Sequence, residues 1–269
     1  MRYLLAILPV VAAVILAACA PSRSATPPST PAVAKPAPVK VAAVQKPHVS
    51  KFQENLDALG VPLRVPHWSK TILVNIPSYE LIALENGEEQ FRMRVIVGAR
   101  GEDRETPVVD TFTSVARFRP TWTPTPTMIK SGAYTPGTRP AGRGNPLGYV
   151  ALRFDDGQLI YLHDTNRPKL FNRDKRALSW GCVRVEGIEK LLAWALDMSE
   201  EEVLALMRGR GTVDVQTSGL PVMLRYYTAF PDAGGELQYY DDIYQRGETV
   251  LTPKSSEAVS IAKQLPTAG

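Results

Sequence analysis

Thr71-Ile72-Leu73-Val74-Asn75-Ile76 and Glu80-Leu81-Ile82-Ala83-Leu84-Glu85 are two short runs rich in β-formers, separated by a Pro77-Ser78 turn. Asn86-Gly87 follows, a dipeptide suited to a tight hairpin. It leads into Phe91–Val97, where Phe91, Met93, Val95 and Val97 share one face of an alternating strand. Outward from this unit, further strands are predicted over Tyr149–Phe154, Leu159–His163, Thr212–Gln216 and Val222–Phe230. The last returns through Gly234-Gly235 into Glu236–Tyr240. Helices are fewer. Ile188, Leu191, Leu192, Ala195 and Leu196 follow helical spacing, and Ser199 with Glu202 forms a capping box for a second helix carrying Val203, Leu206 and Met207. A further helical stretch covers Phe52–Leu59. The pattern predicts a mainly β protein, an antiparallel β-barrel or sandwich with a few helices packed outside.

The chain has 269 residues, 44% hydrophobic and 22% charged, which excludes a disordered or fibrous protein and allows one or two domains with a proper core. The formal charge is +4. Arg2, Arg23, Lys35, Lys40, Lys46 and Lys51 stand in residues 1–51 with no acid among them. Subtracting those six leaves −2 on residues 52–269. A slightly acidic body behind a basic tail argues against nucleic acid as a partner.

The amino terminus reads as an address. Met1-Arg2 is a short positive region, and Leu4 to Ala18 is an apolar run interrupted only by Pro9. About fifteen residues suit a signal-peptide core better than a membrane span, which needs roughly 20. The run ends Leu16-Ala17-Ala18-Cys19, which resembles the lipobox of bacterial lipoproteins, where the cysteine is lipidated and becomes the first mature residue. That resemblance implies a periplasmic, lipid-anchored protein, and Ala20 after the cysteine points to the outer membrane. The alternative is an ordinary secretion signal or an uncleaved anchor. Residues 19–50 then form a tether, with Pro21, Pro27, Pro28, Pro31, Pro36, Pro38 and Pro47 favouring extended chain. At about 3.1 Å per residue such a tether reaches on the order of 85 Å.

The chain has two cysteines. If Cys19 carries lipid, Cys182 has no disulfide partner in a compartment that favours disulfides. An unpaired cysteine is either a small core residue or a reactive thiol. Ser179-Trp180-Gly181-Cys182-Val183-Arg184-Val185 places it after a glycine that lets backbone N–H groups approach a reacting carbonyl, with an arginine close by and a helix expected from about Gly187. Arginine and helix N-terminus would both favour a thiolate. For a base the body offers His67 and His163. His67 stands beside Trp68 ahead of the first strand, where a packed or exposed histidine is the simpler reading. His163 closes a predicted strand 19 residues before Cys182, opposite Leu162 in the alternation, and is the candidate general base.

His163-Asp164-Thr165, Leu170-Phe171 and Arg176-Ala177-Leu178-Ser179-Trp180-Gly181-Cys182-Val183-Arg184-Val185 together closely resemble the signature of the L,D-transpeptidases of peptidoglycan, the YkuD-type catalytic domain. Ile72–Pro77 resembles the family's opening strand, and Gly144-Asn145-Pro146-Leu147-Gly148 its glycine-rich approach to the central strands. Leu220-Pro221-Val222 through Asp241-Asp242-Ile243-Tyr244 resembles the C-terminal hairpin of the larger Gram-negative branch. The resemblance implies a catalytic domain at 51–217 and a C-terminal β-hairpin extension of it at 218–246; the apolar run marks a signal peptide at 1–18, and small polar residues suggest a flexible tail at 247–269. The chain departs from the family at two points. Trp180 stands where many members have a second histidine. Between Trp122 and Gly144 there is a Thr-, Pro- and Gly-rich loop in place of a helical lid and a separate murein-binding domain.

By resemblance, His163 takes the proton of Cys182, and the thiolate attacks the meso-diaminopimelate carbonyl of a tetrapeptide stem. The Gly181–Cys182 backbone holds the oxyanion, D-alanine leaves, and the acyl group passes to an amine. The Asp164 backbone carbonyl would orient His163. Ser179 and Arg184 would support the site or contact substrate, although Arg184 could equally form a structural ion pair. Trp180 would pack or stack on the stem. The acceptor is another stem, an outer-membrane lipoprotein or a D-amino acid. Water as acceptor would make the protein an L,D-carboxypeptidase or amidase, and a silent murein-binding lipoprotein is the non-enzymatic alternative. No phosphate loop or metal-ligand cluster is present in the sequence, so no metal and no cofactor is implied.

Overall fold

The computed structural model describes residues 49–155 and 160–247. Cys19, the tether through residue 48 and the tail beyond residue 247 lie outside the described residues, as does Leu159 at the head of one predicted strand. The chain enters through α1 (Lys51–Ala58), capped by Ser50, whose hydroxyl accepts from the Gln53 amide at 3.1 Å. The meander β1 (Lys70–Asn75), β2 (Glu80–Glu85) and β3 (Glu88–Gly98) follows, then β4 (Val109–Phe118). A five-residue helix, α2 (Pro126–Lys130), precedes β5 (Val150–Phe154) and β6 (Tyr161–His163). A 3₁₀ turn at Pro168–Asn172 leads to β7 (Ala177–Ser179) and β8 (Val183–Val185). Helices α3 (Ile188–Leu196) and α4 (Glu200–Arg208) come next, and the capping box between Ser199 and Glu202 forms at α4. Strands β9 (Val213–Gln216) and β10 (Pro221–Arg225) and the hairpin β11 (Ala229–Pro231) and β12 (Leu237–Tyr239) complete the described chain.

The main sheet runs β10-β1-β2-β3-β8-β6-β5-β4, and β10 also pairs with β4, which closes it into a barrel. Most pairings are antiparallel. β1 with β10, β3 with β7 and β6 with β8 are parallel. Strand β10 is therefore part of the barrel wall, and the separate hairpin is only β11–β12. Predicted strand Val222–Phe230 is broken where the chain leaves the wall at Arg225. There the Asn75 side chain takes over the freed backbone, donating to the Tyr227 carbonyl at 3.0 Å and accepting from its amide at 2.9 Å.

Strands β1, β2 and β10 are nearly continuous apolar runs because both of their faces are covered. Ile72, Val74 and Leu81 face one cluster with Val95, Leu162 and Val183, which Leu191 and Leu192 of α3 and Val203 of α4 also join. Leu73, Ile82 and Leu84 face a second cluster with Phe52 and Leu56 of α1 and with Tyr227 and Phe230. Two elements depart from the sequence expectation. β4 escapes the alternation rule because Thr111 and Thr113 occupy buried positions in it. The loop after Trp122 holds α2, with Thr125 as N-cap and Pro126 in its first turn, and Trp122 and Arg139 exchange backbone hydrogen bonds at its base.

Leu162 is wholly buried on the three-residue strand β6. Leu162→Ala should cost about 2–5 kcal/mol, read as a lower denaturant midpoint with unchanged slope. A shift worth under about 1 kcal/mol would mean that β6 is not held by its core face.

Candidate active site

Two of the shortest strands carry the site. In the parallel β6–β8 ladder Leu162 is level with Val183 and His163 with Arg184. Leu162 and Val183 point into the barrel core, so His163 and Arg184 project together from the opposite face. Ala151 is the neighbour of His163 on β5, and its small side chain leaves room for the imidazole. Cys182 immediately precedes β8, two residues before Arg184. On this outer face His163 is 3% and Arg184 7% exposed, while Cys182 is partly buried.

The turn bearing Cys182 is held from three sides. Gly181 has φ +100°, a conformation that side-chain-bearing residues rarely adopt, and a Cβ there would meet Ile160 Cδ1 at 3.2 Å. Ser179 Oγ donates to the Cys182 carbonyl at 2.5 Å. Thr106 Oγ1 donates to the Gly181 carbonyl at 2.8 Å and accepts from the Gly98 amide at 2.8 Å. Tyr244 Oη braces Thr106 in turn, accepting from its amide at 3.0 Å and donating to the Gly98 carbonyl at 2.9 Å. With the Gly181 carbonyl turned toward Thr106, the planar trans peptide turns the Cys182 N–H to the other side of the turn.

His163 Nδ1 lies 2.5 Å from the Asp164 backbone oxygen. A carbonyl only accepts, so Nδ1 carries the proton and Nε2 keeps its lone pair. Asp164 is itself fixed: its amide donates to the Val150 carbonyl at 3.0 Å, and its Oδ2 accepts from the Tyr149 amide at 2.9 Å. Its carboxylate is thus occupied away from the imidazole. A Cβ on Gly148 would come within 2.2 Å of that same Oδ2, so this close approach requires glycine.

Electrostatics depart from the sequence expectation of a thiolate. Burial pushes the Cys182 thiol up to about 11, against the opposing pull of a backbone hydrogen bond at Tyr161 and of the Arg184 charge. Burial, reinforced by Arg184, pulls His163 down to about 3, with the Asp164 carbonyl opposing. Near neutral pH the resting pair is therefore a neutral thiol and a neutral imidazole. The helix N-terminus is not available to the thiol either, because β8 intervenes before α3 begins and dipole effects fade within the first turn.

Trp180 is half-buried, with the Arg104 guanidinium 4.6 Å from its ring centre, so one face of the indole is already covered. Arg184 makes no ion pair with a carboxylate among the described residues, and its Nε and Nη1 are buried without a hydrogen-bond partner. Thr106, Tyr244 and Arg104 were not among the residues singled out by sequence. Each reaches the site from a segment remote in the chain; Tyr244 stands in the stretch that resembles the family's C-terminal hairpin, which does not mark it as a site residue, and Thr106 and Arg104 stand in no motif.

With a neutral resting pair, iodoacetamide should alkylate Cys182 slowly at pH 7. The rate should climb toward about pH 11 with no step near pH 6.5, as followed by peptide mapping. A rate already at its plateau at pH 7 would mean a preformed thiolate–imidazolium pair.

Residues 69–217 match the L,D-transpeptidase catalytic domain family, YkuD. A Haemophilus influenzae protein named as an L,D-transpeptidase is 29% identical over 223 residues, covering 67% of this chain and 45% of that one. Escherichia coli YcfS, also named as an L,D-transpeptidase, is 34% identical over 120 residues, covering 42% of this chain and 37% of that one. The chain thus matches less than half the length of these curated relatives. Among solved structures, an L,D-transpeptidase from Mycobacterium smegmatis aligns over 58% of each chain with 16% identity and a TM-score of 0.37. Since the family match spans more than half of its residues, this chain belongs to the L,D-transpeptidase catalytic domain family.

Proposed function

We propose that the protein is a peptidoglycan L,D-transpeptidase in which Cys182 is the nucleophile and His163 the general base. The observation that carries this is the paired presentation of the two residues. The β6–β8 ladder brings the His163 strand alongside the Cys182 turn, and the Asp164 carbonyl leaves Nε2 as the basic nitrogen. Family membership supports the reaction class.

The steps follow from a neutral pair. As the thiol attacks the diaminopimelate carbonyl of a tetrapeptide stem, its proton moves to His163 Nε2, so that no separated ion pair has to persist in the buried site. The oxyanion forms on the side to which the Cys182 N–H is turned. The imidazolium returns the proton to the D-alanine nitrogen as the C–N bond breaks, leaving a thioester on Cys182. An acceptor amine then attacks the thioester and gives up a proton, and the thiol is restored. Another stem, a lipoprotein lysine or a D-amino acid would serve as acceptor, and water would give hydrolysis. Ser179 shapes the turn through the Cys182 carbonyl. Trp180, with one face on Arg104, offers its other side to the stem or to the surrounding loop.

The same reading places the enzyme in the periplasm, lipidated at Cys19 and tethered to the outer membrane. Leu16-Ala17-Ala18-Cys19 and the proline-rich stretch behind it support this.

Acylation by a carbapenem, followed by intact mass, tests the pair. Cys182→Ala should abolish the adduct, and His163→Ala should slow its formation roughly 10²–10⁴-fold. An adduct formed at the normal rate by Cys182→Ala would overturn the assignment. For the anchor, Cys19→Ala should move the protein out of the membrane fraction while acylation of Cys182 persists. Unchanged fractionation would contradict lipidation.

A further inference from the structure

Arg184 poses a specific energetic problem. It is a permanent cation, 7% exposed, with Nε and Nη1 buried and unsatisfied and no carboxylate paired with it among the described residues. A buried guanidinium without a counter-ion is costly, and folded proteins normally provide a partner. The other buried arginine of the barrel shows the contrast: Arg225, 2% exposed, pairs with Asp110 at 2.5 Å. Burial works against its charge; among the groups whose charge it feels, the Tyr134 phenol and the Cys182 thiol favour the cation, and a second cation, Arg167, opposes it. The position is equally specific. Arg184 stands level with His163 across the ladder and two residues after Cys182, and its charge is felt by both. A missing anion beside a nucleophile points to the substrate as its source.

We propose that Arg184 is the receptor for the free carboxylate that ends the donor stem, immediately beyond the bond that is cut. The inference rests on the transpeptidase reading above and adds a specificity determinant to it. Only a nitrogen and one Cα separate the scissile carbonyl from the carboxylate of a C-terminal residue, so the two lie within about 4 Å of each other. A cation close enough to act on the Cys182 sulfur is placed for that group. The side-chain carboxylate of diaminopimelate stands at the far end of its hydrocarbon chain. A stem extended by one residue, or capped as an amide, would present a neutral peptide group to Arg184 and leave its charge unpaired. Such a site selects donors that end one residue past the cut. Pairing would also remove the repulsion that Arg184 exerts on a protonated His163, so the correct donor would ease the proton transfer that its own cleavage requires.

The test uses the full chain and three synthetic tetrapeptide stems: one with both carboxylates free, one with the terminal D-alanine as its carboxamide, and one with the diaminopimelate side-chain carboxylate as its carboxamide. The readout is kcat/KM for release of the D-alanine or D-alanine amide leaving group, with the Cys182 thioester followed by mass. The terminal carboxamide should react about ten- to a hundredfold more slowly than the free acid, the range for losing a charge-assisted hydrogen bond. The side-chain carboxamide should react like the free acid. Arg184→Gln should abolish the preference for the terminal acid, and Arg184→Lys should retain part of it. Equal rates for the free acid and the terminal carboxamide in the unmodified protein overturn the proposal, even if Arg184→Gln does not fold. A preference that follows the side-chain arm, or that survives in folded Arg184→Gln, overturns it as well. Failure of all three stems to acylate Cys182 would sink the transpeptidase reading itself, which separates the two failures.

Discussion

The parallel pairing of β6 with β8 joins two strands of three residues each, and the functional face is built on it. Parallel strands require a crossover, and here it runs from Asp164 through the 3₁₀ turn, β7 and the Ser179–Cys182 turn before β8 begins. That connection delivers Cys182 to the same edge of the wall as His163. One residue of each pair, Leu162 and Val183, is anchored in the core, and the next, His163 and Arg184, is thereby directed outward. A slip of either strand by one residue would turn its own polar side chain, imidazole or guanidinium, toward the hydrocarbon of the core. The inner core therefore fixes the register of the site.

Around this ladder the backbone supplies the positioning. The Asp164 carbonyl sets the tautomer of His163, and the Gly181 carbonyl is held by Thr106, which Tyr244 braces from a segment beyond the barrel. Arg246 adds an ion pair to Glu105 at 2.6 Å, so the loop under the Cys182 turn is tied to the C-terminal segment twice. Because these groups are buried, both titrating partners rest in their neutral forms. The geometry of the candidate site is thus set without separated charge between the pair, and Arg184 is a buried cation level with His163.

Much of the architecture was legible from sequence. β2 and α3 begin and end close to where apolar spacing places them, and the Ser199–Glu202 box caps α4. β4 was not legible, since threonines at its buried positions blunt the alternation. β7 and β8 are too short to make a periodic signal, although they flank the most informative motif in the chain. At the site, His163, Asp164 and the Ser179–Arg184 run stood out because a motif gathers them. Thr106 and Tyr244 did not, because their contribution is a hydrogen-bonded contact across 138 residues of chain. The burial that pushes the Cys182 thiol up was not legible for a related reason: a neighbouring arginine can be read from sequence, whereas the desolvation that opposes it cannot.

The central claim is that Cys182 takes the acyl group of a stem peptide and expels D-alanine. Rapid quenching of the full chain with a disaccharide-tetrapeptide, followed by intact mass and peptide mapping, tests it most directly. The account predicts an adduct on Cys182 whose mass is the donor less one D-alanine, with one free D-alanine released per adduct. Release of D-alanine with no dependence on Cys182, or an adduct carried by another residue, would contradict it.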